Sequence, residues 1–176
     1  MIDLSNITQI RLLKENYKQF PNKEHYALKF VDKDNIDKYS DDLKKVVNLI
    51  KEELTDWDQA PDYETVMRRF KADSHCLLFY FKNECIGWNW GNSNVCFDWE
   101  NNIQDLLPGE LYGGGCYVSK NVDRPADAGL YNYNKIFEYW IYKMGYSTIY
   151  GYVDNWNKAA FRVNFSNGLT VHNFLK

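Results

Sequence analysis

A short polar loop over residues 119–129 carries the residues with the clearest chemical potential in this sequence. The loop contains Arg124 and ends at Gly129, where a strongly patterned helix is predicted to begin. The first turn of a helix has unpaired N–H groups and the positive end of the helix dipole, so it binds anions readily. An arginine beside it can add a bidentate contact to a phosphate. The loop is therefore either a phosphate site or an ordinary strand–helix turn with a charged rim.

Hydrophobic periodicity predicts the elements that must position this loop. An apolar strand over 110–118 precedes it, a helix with an apolar stripe over 130–144 follows it, and a strand over 148–153 comes next. The first of these strands contains Gly113-Gly114-Gly115. Consecutive glycines weaken a strand unless a bulge or a close backbone approach requires them.

The rest of the chain completes a mixed sheet covered by helices, with one βαβ crossover through the loop. Residues 1–24 are predicted to be an N-terminal arm with one short helix, and 91–108 a long polar connection. A single domain is predicted over 25–176. The remaining strands are predicted over 26–31, 75–81, 85–90 and 169–175, and the remaining helices over 34–54, 61–70 and 157–167.

Composition sets broad limits on function. With 176 residues, of which 45% are hydrophobic and 26% charged, the chain is expected to be globular. A net charge of −3 argues against a broad nucleic-acid interface, and no apolar run is long enough to span a membrane. Four cysteines without a C-x-x-C pair, and no visible signal peptide, predict a cytoplasmic protein with reduced thiols. Their spacing does not support a zinc site.

This element order and two motifs together resemble the GNAT acyltransferase superfamily over about residue 26 to the C-terminus. The family's pyrophosphate loop reads Gln/Arg-x-x-Gly-x-Gly/Ala, and here it reads Arg124-x-x-Asp127-x-Gly129. After the strand over 148–153, family members tend to read Asn-x-x-Ala-x-x-Leu-Tyr-x-Lys-x-Gly-Phe. This chain carries in that register Asn157, Ala160, Val163 and Gly168, with Leu169 for the final Phe.

The resemblance implies an α/β (α+β) fold with a mixed, mostly antiparallel sheet of about six to seven strands. About four helices would flank this sheet, and its fourth and fifth strands would splay apart. It also implies acetyl-CoA as the donor and no metal. The pantetheine would lie along Tyr117 and Val118, with a contact from Asn157. The pyrophosphate would lie on the loop residues Arg124, Ala126, Asp127, Ala128, Gly129 and Leu130.

Two residues depart from the family pattern. Asp127 places a negative charge in the pyrophosphate loop, unless it serves instead as the N-cap of the following helix. Asn164 occupies the position where many members carry the tyrosine that protonates the leaving thiolate, and an amide is a poor acid. Tyr152 is the predicted replacement, with Tyr150 or a water as alternatives.

If the resemblance holds, an amine attacks the thioester directly and must first lose a proton. Glu110 is favoured narrowly as the base over Asp98, Glu100 and His75. The acceptor pocket is predicted to be walled by Trp88, Trp90 and Trp99, at least one of which belongs to the core instead.

The predicted function is N-acetyltransfer from acetyl-CoA to the primary amine of a small molecule, an amino sugar or an amino-acid derivative. The main alternative is a catalytically weak or inactive GNAT-fold module that binds or regulates. A third, weaker hypothesis is a carbohydrate-binding surface on the Trp-rich hairpin. Neither nucleic acid nor membrane is expected as a partner, and a homodimer is left open.

Overall fold

The computed structural model describes residues 4–55, 60–98 and 101–172. The chain forms two compact units. The first unit comprises Met1–Pro21, Asn92–Gly114 and Gly129–Lys176, and the second comprises Asn22–Gly91 and Gly115–Ala128.

Nine strands and four α-helices lie within the described residues. The helices are α1 (Ser40–Glu53), α2 (Tyr63–Lys71), α3 (Ala128–Glu138) and α4 (Lys158–Ser166). The strands are β1 (Ile7–Leu13), β2 (Tyr26–Val31), β3 (His75–Phe81), β4 (Glu84–Asn92), β5 (Val95–Asp98), β6 (Asn101–Asp105), β7 (Glu110–Val118), β8 (Thr148–Asp154) and β9 (Thr170–Val171).

Seven of the strands form one sheet in the order β2-β3-β4-β7-β8-β1-β9. Strands β7 and β8 run parallel and pair over Glu110–Tyr112 and Thr148–Tyr150. The pairs β1–β8, β1–β9, β2–β3 and β3–β4 are antiparallel. The predicted fold class, a mixed and mostly antiparallel sheet with four helices, is confirmed.

In the second unit, α1 packs the apolar stripe that its sequence predicted, with Leu43, Val46, Val47 and Ile50 buried. Asp62 caps α2, because its side chain accepts a hydrogen bond from the Thr65 amide at 2.7 Å. Strands β3 and β4 form the predicted hairpin through a turn at Lys82 and Asn83. Both turn residues have positive φ, 47° and 66°, as tight hairpins with a right-handed twist require.

Gly87 on β4 allows a close approach to β7. A Cβ atom built at this position would lie 2.2 Å from the Tyr117 carbonyl oxygen, so any side chain would displace the backbone. One residue earlier on β4, the Ile86 carbonyl accepts a hydrogen bond from the Ser119 amide at 2.8 Å. The start of the 119–129 loop is thereby fixed to β4.

In the first unit, a buried amide ties the segment before the first helix to α3. Asn134 Nδ2 donates to the Lys18 carbonyl at 2.7 Å and to Asn167 Oδ1 at 2.6 Å. Asn134 Oδ1 accepts from the Phe20 amide at 3.2 Å and from Tyr17 Oη at 3.0 Å. All the hydrogen-bonding capacity of this fully buried side chain is used.

Three predictions about elements were wrong. Residues Ile7–Leu13, assigned to an arm with a short helix, form strand β1, which pairs with β8 along its whole length. The connection over 91–108 contains β5 and β6, which pair with each other. A 3-10 helix over Ile36–Tyr39 replaces the predicted start of α1. The boundary predicted between an arm and a domain at residue 24 stays a prediction.

Candidate functional site

The loop between β7 and α3 is held by its own arginine. Arg124 Nε donates to the Ser119 carbonyl at 2.5 Å, and Nη1 donates to the Pro125 carbonyl at 3.3 Å. A guanidinium has five N–H donors. The three that remain on Arg124 have no hydrogen-bond partner in the part of the chain that the structure describes. Arg124 is thus fixed in place with donor capacity left over.

The first amides of α3 differ in their availability. The Ala128 amide donates to the Pro125 carbonyl at 3.0 Å, so it is not free to bind an anion. The next residue, Gly129, faces open space, and a Cβ atom built there would meet no other atom within 4 Å. Amides in the first turn of a helix lack intrahelical partners. Gly129 therefore leaves room for a ligand to approach this part of the backbone.

The Asp127 carboxylate forms an ion pair with the Lys23 ammonium. Both side chains are partly exposed, at 39% for Lys23 and 38% for Asp127. The lysine offsets the negative charge that, in the sequence, counted against phosphate binding in this loop.

Glu53, the last residue of α1, contacts the chain where β7 runs into the loop. Its carboxylate accepts hydrogen bonds from Tyr117 Oη at 2.6 Å and from the Ser119 hydroxyl. It also accepts from the amides of Lys120 at 3.0 Å and Asn121 at 3.1 Å. Four donors converge on one carboxylate, so these two amides are occupied and no external anion has access to them.

The hydrogen bonds to Glu53 decide its protonation state. Partial burial acts to raise the pKa of this carboxyl, but bonds from Ser119, Tyr117 and the two loop amides outweigh burial and lower it. Burial and the neighbouring carboxylate raise the pKa of Tyr117. At neutral pH the phenol therefore donates and the carboxylate accepts.

Sequence reasoning missed Glu53, because it lies in a charged run at the end of an amphipathic helix. One signal was present. A carboxylate in the last turn of a helix opposes the helix dipole, so it needs a compensating partner. Here the partners are the four donors of the β7–α3 connection.

In the first unit, Glu110 begins β7 and is fixed by two donors. Its Oε1 accepts from Tyr150 Oη at 3.1 Å, and its Oε2 accepts from the Leu107 amide at 2.8 Å. The Glu110 amide donates back to the Leu107 carbonyl at 3.0 Å. The carboxylate therefore has a fixed orientation.

Tyr150 connects Glu110 to two further titratable side chains. Arg11 also hydrogen-bonds its hydroxyl, and the His172 ring lies 5.6 Å from the Tyr150 ring. Burial and the Glu110 carboxylate raise the pKa of Tyr150. Burial and the nearby Arg11 charge lower the pKa of His172, which favours the neutral imidazole.

Tyr152 lies two residues further along β8, on the same face as Tyr150. Its ring centroid is 5.6 Å from that of Tyr112, and its hydroxyl accepts from Gln9 Nε2 at 3.3 Å. Tyr112 is two residues after Glu110 on β7 and therefore shares its face. The structure thus brings the predicted catalytic residues Glu110 and Tyr152 onto one face of the first unit.

Two asparagines of the second motif have structural partners. Asn157 caps α4, since its Oδ1 accepts from the Ala160 amide at 3.0 Å. This bond gives a physical reason for the Asn-x-x-Ala spacing. Asn164 is buried and donates from Nδ2 to the Ala160 carbonyl at 2.8 Å. Its side chain is engaged within its own helix.

Of the three tryptophans predicted to line the acceptor pocket, two are buried in the structure. Trp88 and Trp90 are each 1% exposed, with ring centroids 5.4 Å apart, and Phe70 packs 4.9 Å from Trp90. These two side chains form core of the second unit. Their predicted contact with an acceptor stays a prediction, which this burial does not support. Trp99 lies outside the described residues.

Val118 also packs into core, against the cluster of Phe79, Phe81 and Ile86. The Tyr117 hydroxyl is already bonded to Glu53. The side chains of both residues predicted to contact pantetheine therefore have partners within the protein, and only their main-chain groups could make that contact. The predicted donor-site residues Ala126 and Leu130 lie in the exposed loop and in the first turn of α3, respectively.

The described residues contain no group of three or more His, Cys, Asp or Glu side chains placed to hold a metal ion. Of the helices that the structure describes, none is both long and apolar enough to cross a membrane.

No protein-family model matches the sequence, and no curated protein is significantly similar to it. Solved structures do resemble it in fold. A GCN5-related N-acetyltransferase from Kribbella flavida superposes with a TM-score of 0.59 at 9% identity, over 96% of this chain. This chain spans only 55% of the length of that protein.

Two further solved structures that resemble this chain are named for an activity. A glucosamine N-acetyltransferase region of a fungal multi-domain enzyme gives a TM-score of 0.63 at 9% identity, over 94% of this chain and 20% of that one. An aminoglycoside acetyltransferase from an uncultured soil metagenomic sample gives 0.55 at 12% identity, over 88% of this chain and 97% of that one. At such low identities the likeness establishes the fold. The chain has the fold of the GCN5-related N-acetyltransferases, the GNAT superfamily.

Proposed function

We propose that this protein is an N-acetyltransferase that moves an acetyl group from acetyl-CoA to the primary amine of a small molecule. The observation that carries the proposal is the β7–α3 loop on a GNAT fold. There a fixed arginine with spare donors precedes a helix start that has open space beside Gly129.

The residues of the loop fit a diphosphate. Arg124 retains three donors, the amides that follow Ala128 are in the first helical turn, and Lys23 offsets the charge of Asp127. The main chain of Tyr117 and Val118 is left to contact the pantetheine arm. The contact that the family resemblance assigns to Asn157 stays a prediction. When bound, acetyl-CoA supplies an acetyl group activated as a thioester.

Glu110 is the proposed base. Its carboxylate accepts hydrogen bonds and donates none, and its orientation is fixed by Tyr150 and the Leu107 amide. A carboxylate so held can take a proton from the acceptor ammonium directly or through one water, which frees the amine to attack. Tyr152, on the same face, is the proposed donor of a proton to the leaving thiolate.

The proposed acceptor is an amino sugar or an amino-acid derivative. Support for the amino sugar comes from two proteins of the same fold, one titled as acting on glucosamine and the other on aminoglycosides. Glu110 itself adjoins an aromatic cluster, in which Tyr112 and Tyr150 are buried and Tyr152 packs against them.

A second candidate is a GNAT-fold module that binds CoA but transfers acetyl groups weakly or not at all. Asn164 favours it, because this residue stands at the position of the family's acid and is bonded to its own helix. In this case CoA binding would persist without turnover.

The test combines binding with turnover. Thermal unfolding is measured with and without CoA, and a ligand at 100 times its dissociation constant should add about 2.7 kcal/mol and raise Tm by several degrees. Thiol release from acetyl-CoA is then followed with glucosamine, an aminoglycoside and amino-acid amines. Binding with turnover supports the enzyme, binding without turnover supports the module, and the absence of any shift overturns both.

A further inference from the structure

Glu53 occupies a position that the proposed chemistry does not use. It lies on α1, it is partly buried, and its two carboxylate oxygens accept hydrogen bonds from four donors of the stretch where β7 becomes the loop. Three of these four donors belong to residues 119–121, and two of them are backbone amides. The Glu53 carboxylate therefore holds the backbone conformation of residues 119–121.

The same stretch determines where Arg124 lies. Ser119 donates its hydroxyl to Glu53, donates its amide to the Ile86 carbonyl and accepts Arg124 Nε on its own carbonyl. Ser119 is fully buried, so it has no water to replace a lost partner. A continuous chain of hydrogen bonds therefore runs from Glu53 through Ser119 to the guanidinium.

We propose that Glu53 is a positioning residue for the diphosphate of CoA, acting through Ser119 to hold Arg124 in its binding orientation. This role rests on the proposed function, since it concerns the donor assigned there. It adds a residue from α1, distant in sequence from the loop motif, to the determinants of donor affinity.

Replacement of Glu53 by glutamine should disturb the loop without a change in side-chain size. A carboxylate only accepts hydrogen bonds, whereas an amide presents an NH2 donor. In either orientation of the E53Q side-chain amide, that donor would face the backbone amide of Lys120, which is a donor too, and the turn would have to rearrange. The matched control is Glu52→Gln, which makes the same charge change on the exposed preceding residue.

The experiment measures CoA binding by calorimetry for the full chain and five variants, which are E53Q, E52Q, S119A, Arg124→Ala and the E53Q/R124A double variant. We expect E53Q to weaken CoA binding about tenfold and E52Q to leave it unchanged. In the double variant we expect little loss beyond that of R124A, because both substitutions disable the same contact. Ser119→Ala should weaken CoA binding as E53Q does, because it removes the hydroxyl that links Ser119 to Glu53.

A fragment of the donor separates positioning from a general loss of structure. Acetyl-pantetheine lacks the diphosphate, so its binding should be the same in E53Q as in the original chain. Equal losses for CoA and acetyl-pantetheine, additive losses in the double variant, or CoA binding unchanged in both E53Q and S119A would each overturn the positioning role. If the original chain binds no CoA, the proposed function fails, and the role of Glu53 toward this donor fails with it.

Discussion

The Asp127 carboxylate, at the entrance to α3, is paired with the Lys23 ammonium. In sequence these residues are far apart, and Asp127 alone places a negative charge in a loop proposed to bind phosphates. The ion pair makes Asp127 compatible with phosphate binding, because the positive charge of Lys23 offsets its negative charge.

Removal of Lys23 should therefore expose the charge of Asp127. We expect Lys23→Ala to weaken CoA binding about fivefold and Asp127→Asn to leave it unchanged or stronger. The double variant K23A/D127N should bind as the original chain does, since neither charge remains. Titration calorimetry at low and high salt checks this, and the K23A defect should shrink as salt screens the carboxylate. A double variant as weak as K23A would instead mean that Lys23 contacts the phosphates itself.

Arg124→Ala should raise the apparent dissociation constant for CoA about tenfold, because a bidentate contact to phosphate is lost. Arg124→Lys should fall between the two, since an ammonium keeps the charge but not the planar fork. Lys71→Ala, which removes an exposed positive charge on α2, serves as the control for net charge. Unchanged CoA affinity in R124A would place the diphosphate elsewhere.

Glu110→Gln should lower kcat about 100-fold at neutral pH and leave the KM for acetyl-CoA near its original value. Glutamine can accept from the Leu107 amide through its Oε1 and donate its NH2 group to the Tyr150 hydroxyl, which accepts as well as donates, so the local fold should survive. The defect should deepen at lower pH, where less of the acceptor is free amine. Steady-state kinetics against pH check this, with the exposed Glu15→Gln as control. A normal rate in E110Q would remove Glu110 as the base.

Glu53 should contribute stability that depends on pH. Its pKa in the folded chain lies below the ordinary value of 4.5, so its contribution is fully present above 4.5. That contribution is lost as the pH falls through the lower, folded-state pKa. The free energy of unfolding of E53Q should therefore lie below that of the original chain at pH 7, and the gap should close in increasingly acidic buffer. Urea titrations at several pH values test this, and a gap that is constant with pH would contradict it.

Asn134→Ala should destabilise the chain by about 2–4 kcal/mol, because it leaves several buried backbone and side-chain groups without partners. Asn48→Ala, on the exposed face of α1, should change stability by less than about 0.5 kcal/mol. Denaturant unfolding measures both. Equal effects would mean that the segment over residues 17–20 gains little from its bonds to α3.

The elements that follow a strict apolar period were predictable. The stripe of α1, the β3–β4 hairpin and the helix after the loop appear where periodicity placed them, and α2 begins within two residues of its predicted start. Strand β1 was missed for a physical reason. On one face of β1 lie Gln9 and Arg11, whose side chains contact the tyrosines Tyr152 and Tyr150 of β8. These two positions are therefore polar although they do not face water. Alternation of Ile10 and Leu12 with such residues looks like an irregular arm.

Some residues of the candidate site could be predicted from the sequence and others could not. The loop and its arginine could be found from residue types and spacing, because anion binding at a helix start depends on local backbone. Glu53 and Lys23 could not, since each meets the loop only through tertiary contacts. The surroundings of Trp88 and Trp90 could not be predicted either, because rings suited to a ligand pocket are equally suited to a core, and only burial distinguishes them.

The place of β1 between β8 and β9 makes the beginning of this chain indispensable. A shortened protein starting near residue 24 would leave β8 with a bare row of N–H and C=O groups, which invites pairing with another molecule. It would also lack the side chains of Ile10 and Leu12, which are almost completely buried, so the apolar residues packed against them would be exposed to water. Such a protein should precipitate or form fibres rather than fold into a smaller version of the same sheet.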